Sequence, residues 1–362
     1  MKKNFLFRLS AIAMSLILVA CGGSTSEDVV ENETTAIESE ESLNVVVTTP
    51  MLGEFVKQVA GDSVVLDILM PAEADPHTYD PSPQDAAKIA DADIVLYVGI
   101  KYETSSLLKL IENTASTNAT LLEIGEEIDP IEFKDGEHDH GNHDDHDEEG
   151  HDDDKDHDHD DEDGHDDHDE EGHEGHEGHE GHDHGSEDPH FWFDPVRVAM
   201  AVEVIKDSLV SLDPANTSTY EANADNFISE LTDLDAQVKA LIESVSEDNR
   251  KIVTTHEALG YLEARYGIEV FATIIPSLST ADEISPSQIA DVIDVIEDNN
   301  IKVLFVESEA PSVYAETVAA EAGITAVTGL YVETLKDGQT YSDFLISNVT
   351  LIVESLNSAG EG

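Results

Sequence analysis

Short β-branched apolar runs alternate with stretches of helical periodicity in two separate blocks of the chain. In the first, from Leu43 to about Leu122, LNVVVTT, VVLDILM and DIVLYVG read as strands, with MLGEFVKQVA and PQDAAKIAD as helices between them. The second runs from about Lys251 to Asn357. Its strands are KIVTT, IEVFAT, KVLFVE and ITAVTG, with helices near Ala258–Tyr266, Pro286–Asp298, Pro311–Ala322 and Tyr341–Ser355. Strands that alternate with helices favour parallel pairing, so each block is expected to form an open α/β sheet.

Between the blocks, residues 196–246 carry apolar side chains at helical spacing: Val196–Leu212 is one helix, and Pro214 to about Ser246 a second, marked by Tyr220, Phe227, Leu231, Leu234, Val238 and Leu241. A helix of about 30 residues would be about 45 Å long, enough to bridge two lobes. The expected plan is an N-terminal lobe over 43–195, linking helices over 196–246 and a C-terminal lobe over 247–358. In such sheets ligands sit beyond the carboxyl ends of strands, which places a binding site in the cleft between lobes.

The ends of this pattern change the picture. Residues 1–20 show a basic start (Lys2, Lys3, Arg8) and an apolar run too short to span a bilayer, which reads as an export signal. It runs into Leu-Val-Ala-Cys-Gly-Gly, which resembles the bacterial lipoprotein signal and makes Cys21, the single cysteine, the expected lipid anchor. Residues 21–42, rich in Ser, Thr and Glu, suit a tether. A single cysteine also excludes intrachain disulfides and thiolate zinc clusters.

Charge narrows the partners. The 362 residues hold 81 acids against 17 bases, a net charge of −64, and residues 132–188 alone contain 29 acids and two lysines. That field repels phosphate backbones, so nucleic-acid binding is not expected, and it concentrates small cations. Residues 132–188 have almost no apolar side chain after Phe133 and cannot build a core. They do carry 14 of the chain's 17 histidines: His138, His140, His143, His146, His151, His157, His159, His165, His168, His173, His176, His179, His182 and His184. Histidine and carboxylate ligands on such a segment suit many loose, exchangeable cation sites.

The other three histidines lie in foldable sequence. His77 and His190 share a local pattern, Asp-Pro-His followed by an aromatic two residues on and then Asp-Pro, which restricts the backbone and supplies carboxylates to orient the ring. His256 ends the strand KIVTT. Taken singly, each is more often a satisfied polar residue than a ligand. Together, three neutral imidazoles with a carboxylate or a water make a shell suited to zinc.

PHTYDPSPQD, DPHFWFDP, THEALGYLEARYG and the late LFVESE and GLYVETL occur in an order that resembles the zinc/manganese solute-binding lipoproteins of ABC importers, the cluster A-I or zinc-uptake receptors, over nearly all of Leu43–Asn357. The resemblance implies two α/β lobes joined by a long helix that permits only small movements. It implies metal ligation by His77, His190 and His256, with Glu333 where the family commonly has aspartate. The extra methylene leaves either water or a monodentate Glu333 as the fourth ligand. Glu307 is read as a supporting carboxylate rather than a ligand. The implied cargo is Zn2+, with Mn2+ as the alternative, and the implied partners are an ABC permease, its ATPase and, through the lipid anchor, a membrane at the cell surface or in the periplasm. A monomer is expected.

Two other classes are weighed against this reading. His256-Glu257 begins like the HExxH protease motif, but position 260 is glycine, so an enzyme is not expected. An extracellular zinc buffer or adhesin-like lipoprotein, with the histidine run as its function, is the remaining alternative.

Overall fold

The computed structural model describes residues 42–133, 187–282, 284–309 and 313–360. The N-terminal lobe contains β1 (Leu43–Val47), α1 (Pro50–Ala60), β2 (Val64–Ile68), α2 (Pro83–Ala90), β3 (Ile94–Tyr97), α3 (Ser105–Thr114) and β4 (Thr120–Glu123). Then come α4 (Pro195–Leu212) and α5 (Thr217–Glu243). The C-terminal lobe contains β5 (Lys251–His256), α6 (Gly260–Tyr266), β6 (Glu269–Ile275), α7 (Pro286–Asp298), β7 (Val303–Glu307), α8 (Val313–Ala322), β8 (Thr325–Leu330) and α9 (Tyr341–Gly360).

Both sheets are four-stranded and parallel, ordered β2-β1-β3-β4 and β6-β5-β7-β8. The expected α/β architecture with two parallel sheets is present, and each sheet has the same topological switch point, between its first and third strands. Crevices open at the carboxyl ends of strands there. Four helices that flank this region start alike: Thr49, Ser82, Asp194 and Ser285 each cap a backbone N–H, and each precedes a proline. The cap satisfies an orphan donor while proline sets φ for the first turn, so these helix starts are fixed locally.

Strand alternation sorts the core. Val45 and Val47 of β1, Ile94 and Leu96 of β3, Ile252 of β5 and Phe305 of β7 all face one continuous core. Their neighbours point the other way, Val46 and Val95 into one outer cluster, Val253 and Leu304 into another. The central core passes through α1, α4, α5 and α9, which makes the linking helices part of the hydrophobic interior. Arg265 of α6 ties to Asp235 of α5 at 2.6 Å and to Asp194 at 3.1 Å.

Three elements differ from the sequence reading. The first sheet has a fourth strand, TLLE, preceded by α3; a four-residue, half-buried edge strand has too little alternation to stand out. The long helix has 27 residues, about 40 Å, because Pro214–Asn216 forms a separate 3-10 turn. Asp213 holds that turn, accepting from Asn216 Nδ2 at 2.7 Å and Tyr220 Oη at 2.6 Å. The last helix continues past Ser355 to Gly360.

Phe55 shows how the helices depend on one another. It is fully buried in α1, with its ring 6.3 Å from Phe191, 6.4 Å from Phe227 and 5.5 Å from Tyr341. Phe55→Ala is expected to cost about 3–5 kcal/mol in urea unfolding followed by circular dichroism.

Candidate metal centre

His77 lies on the loop after β2, His190 directly before the 3-10 turn Phe191–Phe193, His256 at the last position of β5, and Glu333 on the loop after β8. One ligand atom from each lies within 4.8 Å of all the others. Glu333 Oε1 is 2.7 Å from His256 Nε2 and 3.5 Å from both His77 Nε2 and His190 Nε2. The four sequence candidates in foldable positions therefore come together. Cys21 and the 14 histidines from His138 to His184 lie outside the described residues.

The same device fixes the first two histidines. Asp75 Oδ1 accepts from His77 N at 2.9 Å, and Asp188 Oδ1 accepts from His190 N at 2.9 Å. In each case a carboxylate folds the chain over the intervening proline. Asp188 Oδ1 also lies 2.8 Å from His190 Nδ1. For His256 the support comes from β7: Glu307 accepts from His256 N at 3.0 Å and contacts His256 Nδ1. Glu307 thus has the supporting position read from the sequence. A carboxylate on Nδ1 holds a proton there, so that the neutral ring turns its Nε2 lone pair inward.

Three imidazole Nε2 atoms and both Glu333 oxygens are buried without a hydrogen-bond partner. The 2.7 Å approach of His256 to Glu333 lacks hydrogen-bond alignment. Buried polar atoms are otherwise almost always paired, so five such atoms aimed at one point mark a place for a cation. Rings close it off: Tyr102 packs edge-on to His77 at 5.2 Å and to His190 at 5.8 Å, and Trp192 packs on His190 at 5.5 Å.

Burial and the neighbouring charges act in opposite directions on three of these groups. Burial disfavours the His190 imidazolium, but Glu333 and Asp188 outweigh it and lift the group to about 9. His256 is raised well above its ordinary value against the same burial, by Glu307 and Glu333. Burial would push Glu333 up, yet His190 and His77 hold it well below the carboxylate range.

The backbone that carries Glu333 is held by residues the sequence reading missed. Tyr102 Oη donates to Glu333 O at 2.9 Å, and Trp192 Nε1 donates to Val332 O at 2.7 Å. Glu309 Oε1 accepts from Val332 N at 3.1 Å and Glu333 N at 3.3 Å. Burial pushes Glu309 up to about 8, and the Glu333 charge adds to that. Trp192 and Glu309 lie inside the motifs DPHFWFDP and LFVESE, which marked their places but not their roles. Tyr102 and Glu309 act through contacts hundreds or tens of residues away.

A buried three-imidazole, one-carboxylate cluster between two parallel α/β lobes defines the class of a metal-binding receptor. The chain belongs to the family of ZnuA, the periplasmic component A of the zinc-uptake complex, whose model matches residues 45–355. That family consists of solute-binding receptors. The zinc-binding lipoprotein AdcA of Streptococcus pneumoniae is 31% identical over 99% of this chain, which spans 62% of AdcA's length. The manganese-binding lipoprotein MntA of Halalkalibacterium halodurans is 25% identical, covering 98% of this chain and 99% of MntA. Among solved structures, the periplasmic zinc-binding protein TroA of Treponema pallidum aligns over 86% of this chain and 98% of its own, with a TM-score of 0.68 at 22% identity. A periplasmic metal-binding protein of Candidatus Liberibacter asiaticus, solved with Mn bound, has a TM-score of 0.66 at 24% identity and covers 86% and 98%. The relatives thus share metal binding and differ in the ion.

The proton load makes the metal-free protein sensitive to alkali. A histidine at about 9 when folded and about 6.5 when unfolded contributes stability that is complete below pH ~6.5 and is lost as pH rises through ~9. The melting temperature of chelator-treated protein is expected to fall between those values, and His190→Ala to flatten that part of the profile.

Proposed function

We propose that the chain is an extracytoplasmic receptor that captures Zn2+ on His77, His190, His256 and Glu333 and passes it to an ABC permease. The observation that carries this reading is the set of buried Nε2 and carboxylate atoms with no partner. Three nitrogens and one oxygen suit zinc, whereas manganese favours more oxygen ligands. Donors of a tetrahedron at 2.0–2.1 Å from zinc stand about 3.3 Å apart. The two 3.5 Å separations are already close to that, and the 2.7 Å approach is shorter, so binding requires Glu333 to withdraw from His256.

Four protein donors fill the tetrahedral shell and leave no position for a reacting water, which favours carriage over catalysis. Binding displaces protons from the imidazoles, so the cation replaces one form of charge neutralisation with another. Release is assigned to the loops that meet across the cleft, where Thr280 Oγ1 donates to Asp75 Oδ2 at 2.7 Å beside the His77 turn.

The permease, its ATPase and attachment through Cys21 are supported by family membership and by relatives named as lipoproteins of ABC transporters. Among the described residues no helix is long and apolar enough to cross a membrane. A lipid on Cys21 would supply the attachment that those residues do not.

The histidine run is assigned a gathering role. Its two ends are joined by an antiparallel bridge between Glu132 and Glu187 and by Asp188 N donating to Ile131 O at 3.0 Å. The run therefore leaves and re-enters the fold two residues from Asp188's partner, His190. Cations concentrated by the run are released close to the centre.

Protein purified without chelator is expected to contain one tightly held zinc per chain that excess manganese does not displace. His190→Ala should weaken that site at least about hundredfold by competition titration, since even lost supporting residues cost 10–100-fold. Displacement by equimolar manganese would overturn the choice of ion. Deletion of residues 138–184 should remove the weak sites in calorimetry and keep the tight one; loss of the tight site would refute the division of roles.

A further inference from the structure

Residues 331–333 belong to no helix or strand, yet all their backbone polar groups are bound by side chains. Asn348 of α9 pairs with both groups of Tyr331, at 3.1 and 2.6 Å. The carbonyls of Val332 and Glu333 are taken by Trp192 and Tyr102. Both remaining amides are taken by one residue, Glu309, two positions beyond the end of β7.

We propose that Glu309 is the positioning residue for Glu333: by gripping two successive amides it sets how far the Glu333 carboxylate reaches among the three imidazoles, and so the centre's preference for a four-coordinate cation. This rests on the proposed metal centre. Glu333 has one more rotatable bond than aspartate at that position, and neither of its oxygens has a hydrogen-bond partner. The carboxylate's own neighbours are the three imidazoles it faces, so nothing but its backbone sets the reach with which it enters among them. Its placement comes from its backbone, and among the described residues Glu309 is the one that holds the amides of Val332 and Glu333.

The alternative is that Glu309 only satisfies two amides and stabilises the loop. The two roles separate by isostere and by spectroscopy. Glu309→Gln keeps an acceptor oxygen of the same reach, whereas Glu309→Ala leaves both amides unheld. Full-length protein would be loaded with Co2+, whose visible bands are intense in four-coordinate sites and weak in higher coordination, and zinc release to a chelator would be timed in parallel.

Wild type and Glu309→Gln are expected to give the same intense cobalt spectrum and zinc release rates within about threefold. Glu309→Ala is expected to weaken the bands, speed zinc release by about tenfold or more, and narrow the zinc-over-manganese ratio, in the range seen when groups that orient ligands are lost. Glu309→Asp, which pulls the loop back by one methylene, should show the same change to a smaller degree and decides the matter if the alanine variant does not fold. Unchanged spectra and rates in both Glu309→Ala and Glu309→Asp would overturn the proposal, as would a Glu309→Gln protein as impaired as Glu309→Ala. Wild-type protein that binds neither cobalt nor zinc at one per chain would overturn the receptor reading itself.

Discussion

A carboxylate buried without a hydrogen bond among three imidazoles is costly, and the surrounding structure is organised around keeping it there. Strand ends bring His256 and Glu307 to the switch point of the second sheet. Asp75 and Asp188 hold His77 and His190 in matching turns. Aromatic rings take the place that water would otherwise fill. Remove the convergence of charge and these features have no common purpose; grant it, and each one either orients a ring or excludes solvent.

The neutralisation is distributed over both lobes, and that ties binding to lobe geometry. His77 comes from the first sheet's loops, His190 from the entry to α4, and His256 and Glu333 from the second sheet. A cation held by all four donors, as proposed, would fix the lobes at one separation. The central core, which runs without interruption through α1, α4, α5 and α9, limits how that separation can change. Rearrangement is thus directed to the loops, where side-chain contacts rather than sheet ladders hold the backbone.

The histidine ligand candidates were legible in sequence because they sit in short-range patterns. Asp-Pro-His is a local turn that needs no tertiary information, and His256 closes a strand whose apolar run is plain. Glu333 was found only through resemblance, since nothing near it in the chain distinguishes this buried glutamate from the many exposed ones. The roles of Tyr102 and of Glu309, the last residue of LFVESE, were not legible for a different reason: their hydrogen bonds reach loops 231 and 24 residues away in the chain. The TLLE strand escaped because its pairing with β3, rather than its own composition, makes it a strand.

Trp192 joins these threads. It is the chain's single tryptophan, its ring lies against His190, and its indole N–H is bonded to the loop that carries Glu333. Its emission therefore arises from one place only, beside His190 and the loop that carries Glu333. The molecule thus carries a single label-free optical reporter of the surroundings of this cluster.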